Sequence, residues 1–175
     1  FGVMHGYMDI RELRQVCKSH GMSINEYLVA VFIWSIYQGY LHGAASDRPV
    51  RAAVPVNLRP YFDSVTTKNF FVMVSAEFWP KKESYGFEEV MLQIVKDSLR
   101  SQITKENLED IFSYNVSNEK NFAMRAVPLP LKNMAIRSVY TRSALANTST
   151  VTNIGNVKVQ EAYEPYIEIF HSFLA

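Results

Sequence analysis

The chain has 175 residues, 48% of them hydrophobic and 20% charged, a composition that belongs to a folded globular domain and excludes a disordered tail. With 18 basic against 17 acidic residues the formal charge is +1, so no bulk field draws it to a nucleic acid or an acidic membrane. Cys17 is the only cysteine and no Cys/His cluster has metal-ligand spacing, so an intrachain disulfide is excluded, and no metal and a reducing, cytoplasmic setting are expected.

The first helix has a legible start. Asp9 can cap its free amides, Glu12 stands three residues on, and Met8 can staple onto Leu13. Its expected buried face is Ile10, Leu13, Val16 and Cys17, and His20-Gly21 ends it. Ser23 caps a second helix in the same way, with Glu26 as reciprocal partner and Met22 against Tyr27. From Leu28 to Trp34 that helix is apolar on every side, which predicts a helix through the middle of the domain. The apolar stretch 27–37 falls well short of the roughly 18 to 20 residues that span a bilayer, so no transmembrane segment is expected.

Residues 50–56 follow a turn rich in Gly, Asp and Pro and predict a buried strand, stopped by Pro55 and Pro60. Phe70, Val72, Val74, Ala76 and Phe78 alternate, giving a second strand with one apolar face that Pro80 closes. From Phe87 the period changes to that of an amphipathic helix with Phe87, Val90, Met91, Ile94, Val95 and Leu99 on one side. Thr104 should cap another, with Leu108, Ile111 and Phe112 inside. Beyond Pro128 and Pro130 a short helix carries Leu131, Met134 and Ala135. Residues 148–159 predict a strand pair turning about Asn153-Ile154-Gly155-Asn156, and 166–174 alternate again. The order predicts an α/β domain with a mixed β-sheet and flanking helices. Phe1 stands inside an apparent strand and Phe173-Leu174-Ala175 inside another, so residues 1–175 read as one subdomain cut from a longer protein at both ends.

Chemistry has four places to reside. His5 and Asp9 have a His-x-x-x-Asp spacing on a strand-to-helix turn, where the histidine can be a general base, or Asp9 can simply be the helix cap. Arg59, pinned between prolines beside Asn57, can form a two-pronged pair with a carboxylate and organise a site, or lie exposed on a surface turn. Thr148, Thr150 and Thr152 share one face of a predicted strand, with Ser149, Val151 and Asn153 on the other; such groups can donate to a substrate oxygen or belong to ordinary solvated sheet. The 10 Tyr and 11 Phe can line an acyl tunnel or fill the core. No Gly-rich phosphate cradle, Gly-x-Ser-x-Gly elbow or carboxylate pair is present.

Five segments carry a resemblance. They are Ile10-Arg11-Glu12-Leu13, then Ser19-His20-Gly21-Met22-Ser23-Ile24-Asn25-Glu26-Tyr27-Leu28-Val29-Ala30, then Ala53-Val54-Pro55-Val56-Asn57-Leu58-Arg59-Pro60, Lys68-Asn69-Phe70-Phe71, and Val151-Thr152-Asn153-Ile154-Gly155. In this order the chain resembles the C-terminal half of the chloramphenicol-acetyltransferase-like superfamily, which includes CoA-dependent alcohol acetyltransferases and the condensation domains of peptide synthetases. The resemblance implies one half of a two-half fold, each half a sheet with helices, facing its partner across a tunnel. It implies acyl-CoA as co-substrate, a small-molecule alcohol as acceptor, and the N-terminal half of the same enzyme as partner. In that family the base is the first histidine-bearing motif, His-His-x-x-x-Asp-Gly, of the other half.

The resemblance also implies roles. Arg59 pairs with the structural aspartate of the N-terminal half, Asn57 supports that turn, and Thr150, Thr152 and Asn153 lie near the tunnel. His5 and Asp9 imitate the catalytic spacing but lack the preceding His and the following Gly, and they stand directly before the helix pair, so they read as a decoy. The fragment alone is then expected to be inactive. Two rivals stand beside this reading. One is a condensation domain using carrier-bound thioesters; the other is a non-catalytic module for docking or dimerisation, whose uncovered apolar face would drive self-association.

Overall fold

The computed structural model describes residues 2–66, 69–120, 127–144 and 146–168. They form a mixed α/β arrangement around a three-stranded sheet.

Helix α1 (Ile10–Ser19) begins where the Asp9 carboxylate accepts the backbone N–H of Arg11 at 2.7 Å and of Glu12 at 3.2 Å. These are donors that every helix start leaves open. Gly21, at φ +61°, takes the chain out of it through the left-handed region. Of its predicted buried face only Cys17 is buried; Ile10 and Val16 are 50% and 40% exposed. The helix lies at the periphery with α2 as its main neighbour, which leaves that face half open.

Helix α2 (Ile24–Gly39) starts with a complete capping box. Ser23 Oγ accepts the Glu26 N–H at 3.2 Å while the Glu26 carboxylate accepts the Ser23 N–H at 2.8 Å. Val29, Ala30, Ile33 and Tyr37 are fully buried, whereas Phe32, Trp34 and Ile36 are half-buried. An apolar surface all round had predicted a helix through the middle of the domain. The structure corrects this: α2 is a covering helix with one side pressed on the sheet.

Strands β1 (Val50–Asn57) and β2 (Phe71–Phe78) pair antiparallel, Val50 opposite Phe78 and Asn57 opposite Phe71. Their inner positions, Val50, Ala52, Val54 and Val56 with Val72, Val74, Ala76 and Phe78, join the α2 face in a single core. On the outer face Arg51 and Glu77 stand directly opposite and pair at 3.0 Å. β3 (Ser149–Thr150) lies parallel to β1, making the sheet mixed in the order β2-β1-β3.

The predicted strand pair over 148–159 does not form. β3 has two residues, and 151–160 are irregular. Pro55 explains the stop. Val151 donates its N–H to the Ala53 carbonyl at 2.9 Å, and the next position on that edge of β1 is a proline with no N–H to continue the ladder. Asn153-Gly155 then makes an Asx turn instead of a hairpin: Asn153 Oδ1 accepts the Gly155 N–H at 2.8 Å, with Gly155 at φ +77°.

The helical period starting at Phe87 is realised as α3 (Phe87–Glu89), a π-helical segment (Val90–Val95) and α4 (Lys96–Gln102), which follow one another without a break. Val90, Met91, Val95 and Leu99 enter the core, while the Ile94 side chain lies outside the described residues. From α4 the side chains of Ser98 and Gln102 reach the free edge of β2. Gln102 accepts the Ser75 N–H at 3.3 Å and donates to the Ser75 carbonyl at 2.7 Å, and Ser98 Oγ accepts the Glu77 N–H at 3.2 Å. An edge strand that would otherwise offer unpaired amides is closed by side chains.

Thr104 caps α5 (Lys105–Lys120), its Oγ accepting the Asn107 N–H at 3.3 Å; Leu108 is buried, and Ile111 and Phe112 pack at the rim. Helix α6 (Leu129–Ala144) is longer than expected, and Leu131 and Met134 are 56% and 67% exposed, so they are not the core contacts their spacing predicts. Of the last alternating stretch, Tyr166 ends a 3₁₀ turn (Glu164–Tyr166) and 169–174 lie outside the described residues.

Candidate functional site

The outer face of the sheet carries an open cleft of about 420 Å³, within the range of small-molecule sites. Three chain segments build it. Asn57 ends β1, and its side-chain oxygen accepts the Arg59 N–H at 3.1 Å, so the amide shapes the turn that carries the arginine. Buried Leu58 anchors the same turn, donating its N–H to the Phe70 carbonyl at 3.0 Å and accepting from the Tyr61 and Phe62 N–H groups. The Arg59 guanidinium donates to the Thr66 carbonyl at 3.3 Å.

Thr150, Thr152 and Asn153 form the opposite wall. Strict alternation would have put Thr152 and Asn153 on different faces, but the strand ends at Thr150 and the irregular backbone turns both to the cleft. Thr148, expected on the same face as Thr150, instead accepts the Arg51 N–H at 3.1 Å and fastens this segment to β1. All five residues predicted near a site, Asn57, Arg59, Thr150, Thr152 and Asn153, thus meet around one depression.

Its floor is apolar. Phe71 and Met73 occupy outer positions of β2, 47% and 45% exposed, beside Pro55 of β1 and Phe70. Neither Phe71 nor Met73 was singled out from the sequence, because the alternation of Val72, Val74, Ala76 and Phe78 had settled which face was buried. The signal was nonetheless present: the outer register reads Phe71, Met73, Ser75, Glu77, apolar at one end and polar at the other. Asn69 adds a further amide. Among the described residues the lining holds one cation, Arg59, and no carboxylate.

His5 and Asp9 do not line the cleft. His5 is exposed in the irregular segment before α1, and the Asp9 carboxylate is engaged as the α1 cap. A second depression, of about 360 Å³ between Ser46, Asp47 and Trp79 to Lys81, gathers none of the predicted residues. Among the described residues no group of three or more His, Cys, Asp or Glu side chains is arranged to hold a metal ion, and no helix is long and apolar enough to cross a membrane. No protein-family model, curated protein or solved structure matches the chain.

Proposed function

We propose that this chain is the C-terminal part of a cytoplasmic acyltransferase that moves an acyl group, acetyl in the simplest case, from CoA to a small-molecule alcohol. The carrying observation is the convergence of Asn57, Arg59, Thr150, Thr152 and Asn153 on one cleft of the outer sheet face. The family resemblance assigns those five positions to a tunnel wall and to the anchoring of the partner half.

In this reading the N-terminal half supplies the histidine base. It takes the acceptor's hydroxyl proton, the oxygen attacks the thioester carbonyl, and the C–S bond breaks with the proton passing to the CoA sulfur. Arg59 acts as a positioning residue: its planar guanidinium suits a two-pronged pair with the structural aspartate of the other half, and Asn57 holds its turn. Thr150, Thr152 and Asn153 offer hydrogen bonds along the acceptor's path.

The test is thiol release by the full-length gene product supplied with acetyl-CoA and an alcohol. Arg59→Ala should lower kcat by about 10- to 100-fold, the scale of losing a group that positions the reacting parts, and Arg59→Lys should restore little because an ammonium cannot form the two-pronged pair. Unchanged kinetics would remove the role assigned to Arg59. Thiol release seen only with a carrier-bound thioester would move the protein to the condensation-type reading, and no release from either donor would leave a docking module.

A further inference from the structure

The geometry points to an acceptor with an apolar body and no positive charge, seated on Phe71 and Met73, so that the cleft selects hydroxyl compounds against ammonium compounds of the same shape. This rests on the acyl-transfer reading for the word acceptor, but the selectivity follows from the lining alone.

Three features carry it. First, Phe71 and Met73 are large apolar side chains held nearly half exposed on a sheet whose other face is sealed, and with Pro55 they make a continuous apolar floor. A ligand's hydrocarbon part gains by covering them, at about 25 cal/mol per Å². Second, the polar groups at the rim, Thr150, Thr152, Asn153 and Asn69, are neutral and both donate and accept, which serves a hydroxyl well. Third, the one charged group in the described lining is the Arg59 guanidinium. An ammonium entering this space would leave water, meet a like charge, and find no carboxylate on this chain to compensate it. An aspartate brought by the N-terminal half would be engaged by Arg59 itself and would not serve the ligand.

The experiment titrates the protein with hexan-1-ol and with hexylammonium at pH 7, two ligands of equal length and different charge, while following the Met73 methyl resonance. Hexanol should shift that resonance in a saturable way, with hexylammonium at least about tenfold weaker, the least that one uncompensated like charge nearby would impose. Met73→Glu places a carboxylate on the floor and should reverse the order, with a thermal melt confirming that the variant is folded. Equal affinities in the unaltered protein, or no Met73 response to hexanol, would overturn the inference. Because binding is read directly, the two readings separate. Saturable, charge-selective binding without CoA release keeps the selectivity and rejects acyl transfer, whereas CoA release with equal use of alcohol and amine acceptors does the opposite.

Discussion

Glu26 joins three parts of the chain, and its replacement by glutamine isolates what its charge contributes. Its carboxylate accepts the Ser23 N–H at 2.8 Å to complete the α2 cap, and it takes two bonds from Arg100 of α4, at 2.6 and 3.1 Å. The same guanidinium donates to the Gly21 carbonyl at 2.9 Å, so the turn between α1 and α2 is tied to the far end of the π-bearing helix. Glutamine keeps one acceptor oxygen and turns an NH₂ toward a donor. Losing the reciprocal half of the cap costs about 1 kcal/mol. The ion pair adds about 1 kcal/mol more, kept this low because the Arg100 side chain is 49% exposed. Glu26→Gln should therefore destabilise by about 2 kcal/mol, lowering Tm by roughly 4 to 8 °C for a chain of this size.

The pH dependence has a definite sign. Burial raises the Glu26 carboxyl pKa, but the hydrogen bonds from Arg100 and Ser23 outweigh it and hold the group below its ordinary value. Its contribution is then fully present above the unfolded value of about 4.3 and is lost as pH falls through the lower folded value. Urea unfolding of both proteins should show the full penalty at neutral pH and a shrinking one as the solution is acidified below about 4. A Tm change under about 1 °C at pH 7, or a penalty that does not vary with pH, would refute the reasoning.

Three further outcomes are expected. Gln102→Leu removes the side-chain cover of the β2 edge and should cost about 2 kcal/mol, with faster hydrogen exchange at Ser75 and a tendency to associate at low denaturant; exchange unchanged at Ser75 would show that the edge is closed by something else. Tyr37→Phe deletes a bond from a fully buried hydroxyl to the Gly43 carbonyl and should lower stability by about 1 kcal/mol in urea titrations, with no change in m. Cys17 is 2% exposed and burial pushes its thiol pKa up, so at pH 8 a disulfide reagent should label it at the rate of unfolding and not before.

The sequence made the helix starts readable because a cap is a local device: Asp9, Ser23 and Thr104 each act within three residues, and no distant contact decides the outcome. The β1–β2 pair was equally legible, since Val72, Val74 and Ala76 alternate against a buried partner. What failed depended on neighbours. Ile10, Val16, Leu131 and Met134 have helical spacing, but spacing cannot say whether another element arrives to cover them. The segment 148–159 has strand composition, yet its ladder ends at a proline in a different strand about 100 residues away in sequence. The cleft followed the same division. Asn57 and Arg59 could be named from their turn, while Phe71 and Met73 became site residues only once the outer face of β2 was seen to be uncovered.

The π-helical segment also constrains how this chain can change in length. A π turn holds more residues than an α turn, so it behaves as an α-helix with one residue inserted. Removing a single residue from Val90–Val95 would let the backbone close into regular α-helix, and everything beyond would rotate by about 100° and advance by about 1.5 Å. Ser98 and Gln102 would swing away from β2, and Arg100 would lose its line to Glu26, although none of the three had been altered. In this stretch one residue more or fewer is thus a greater disturbance than most substitutions. The extra residue keeps the sheet edge and the first helical turn in register with each other.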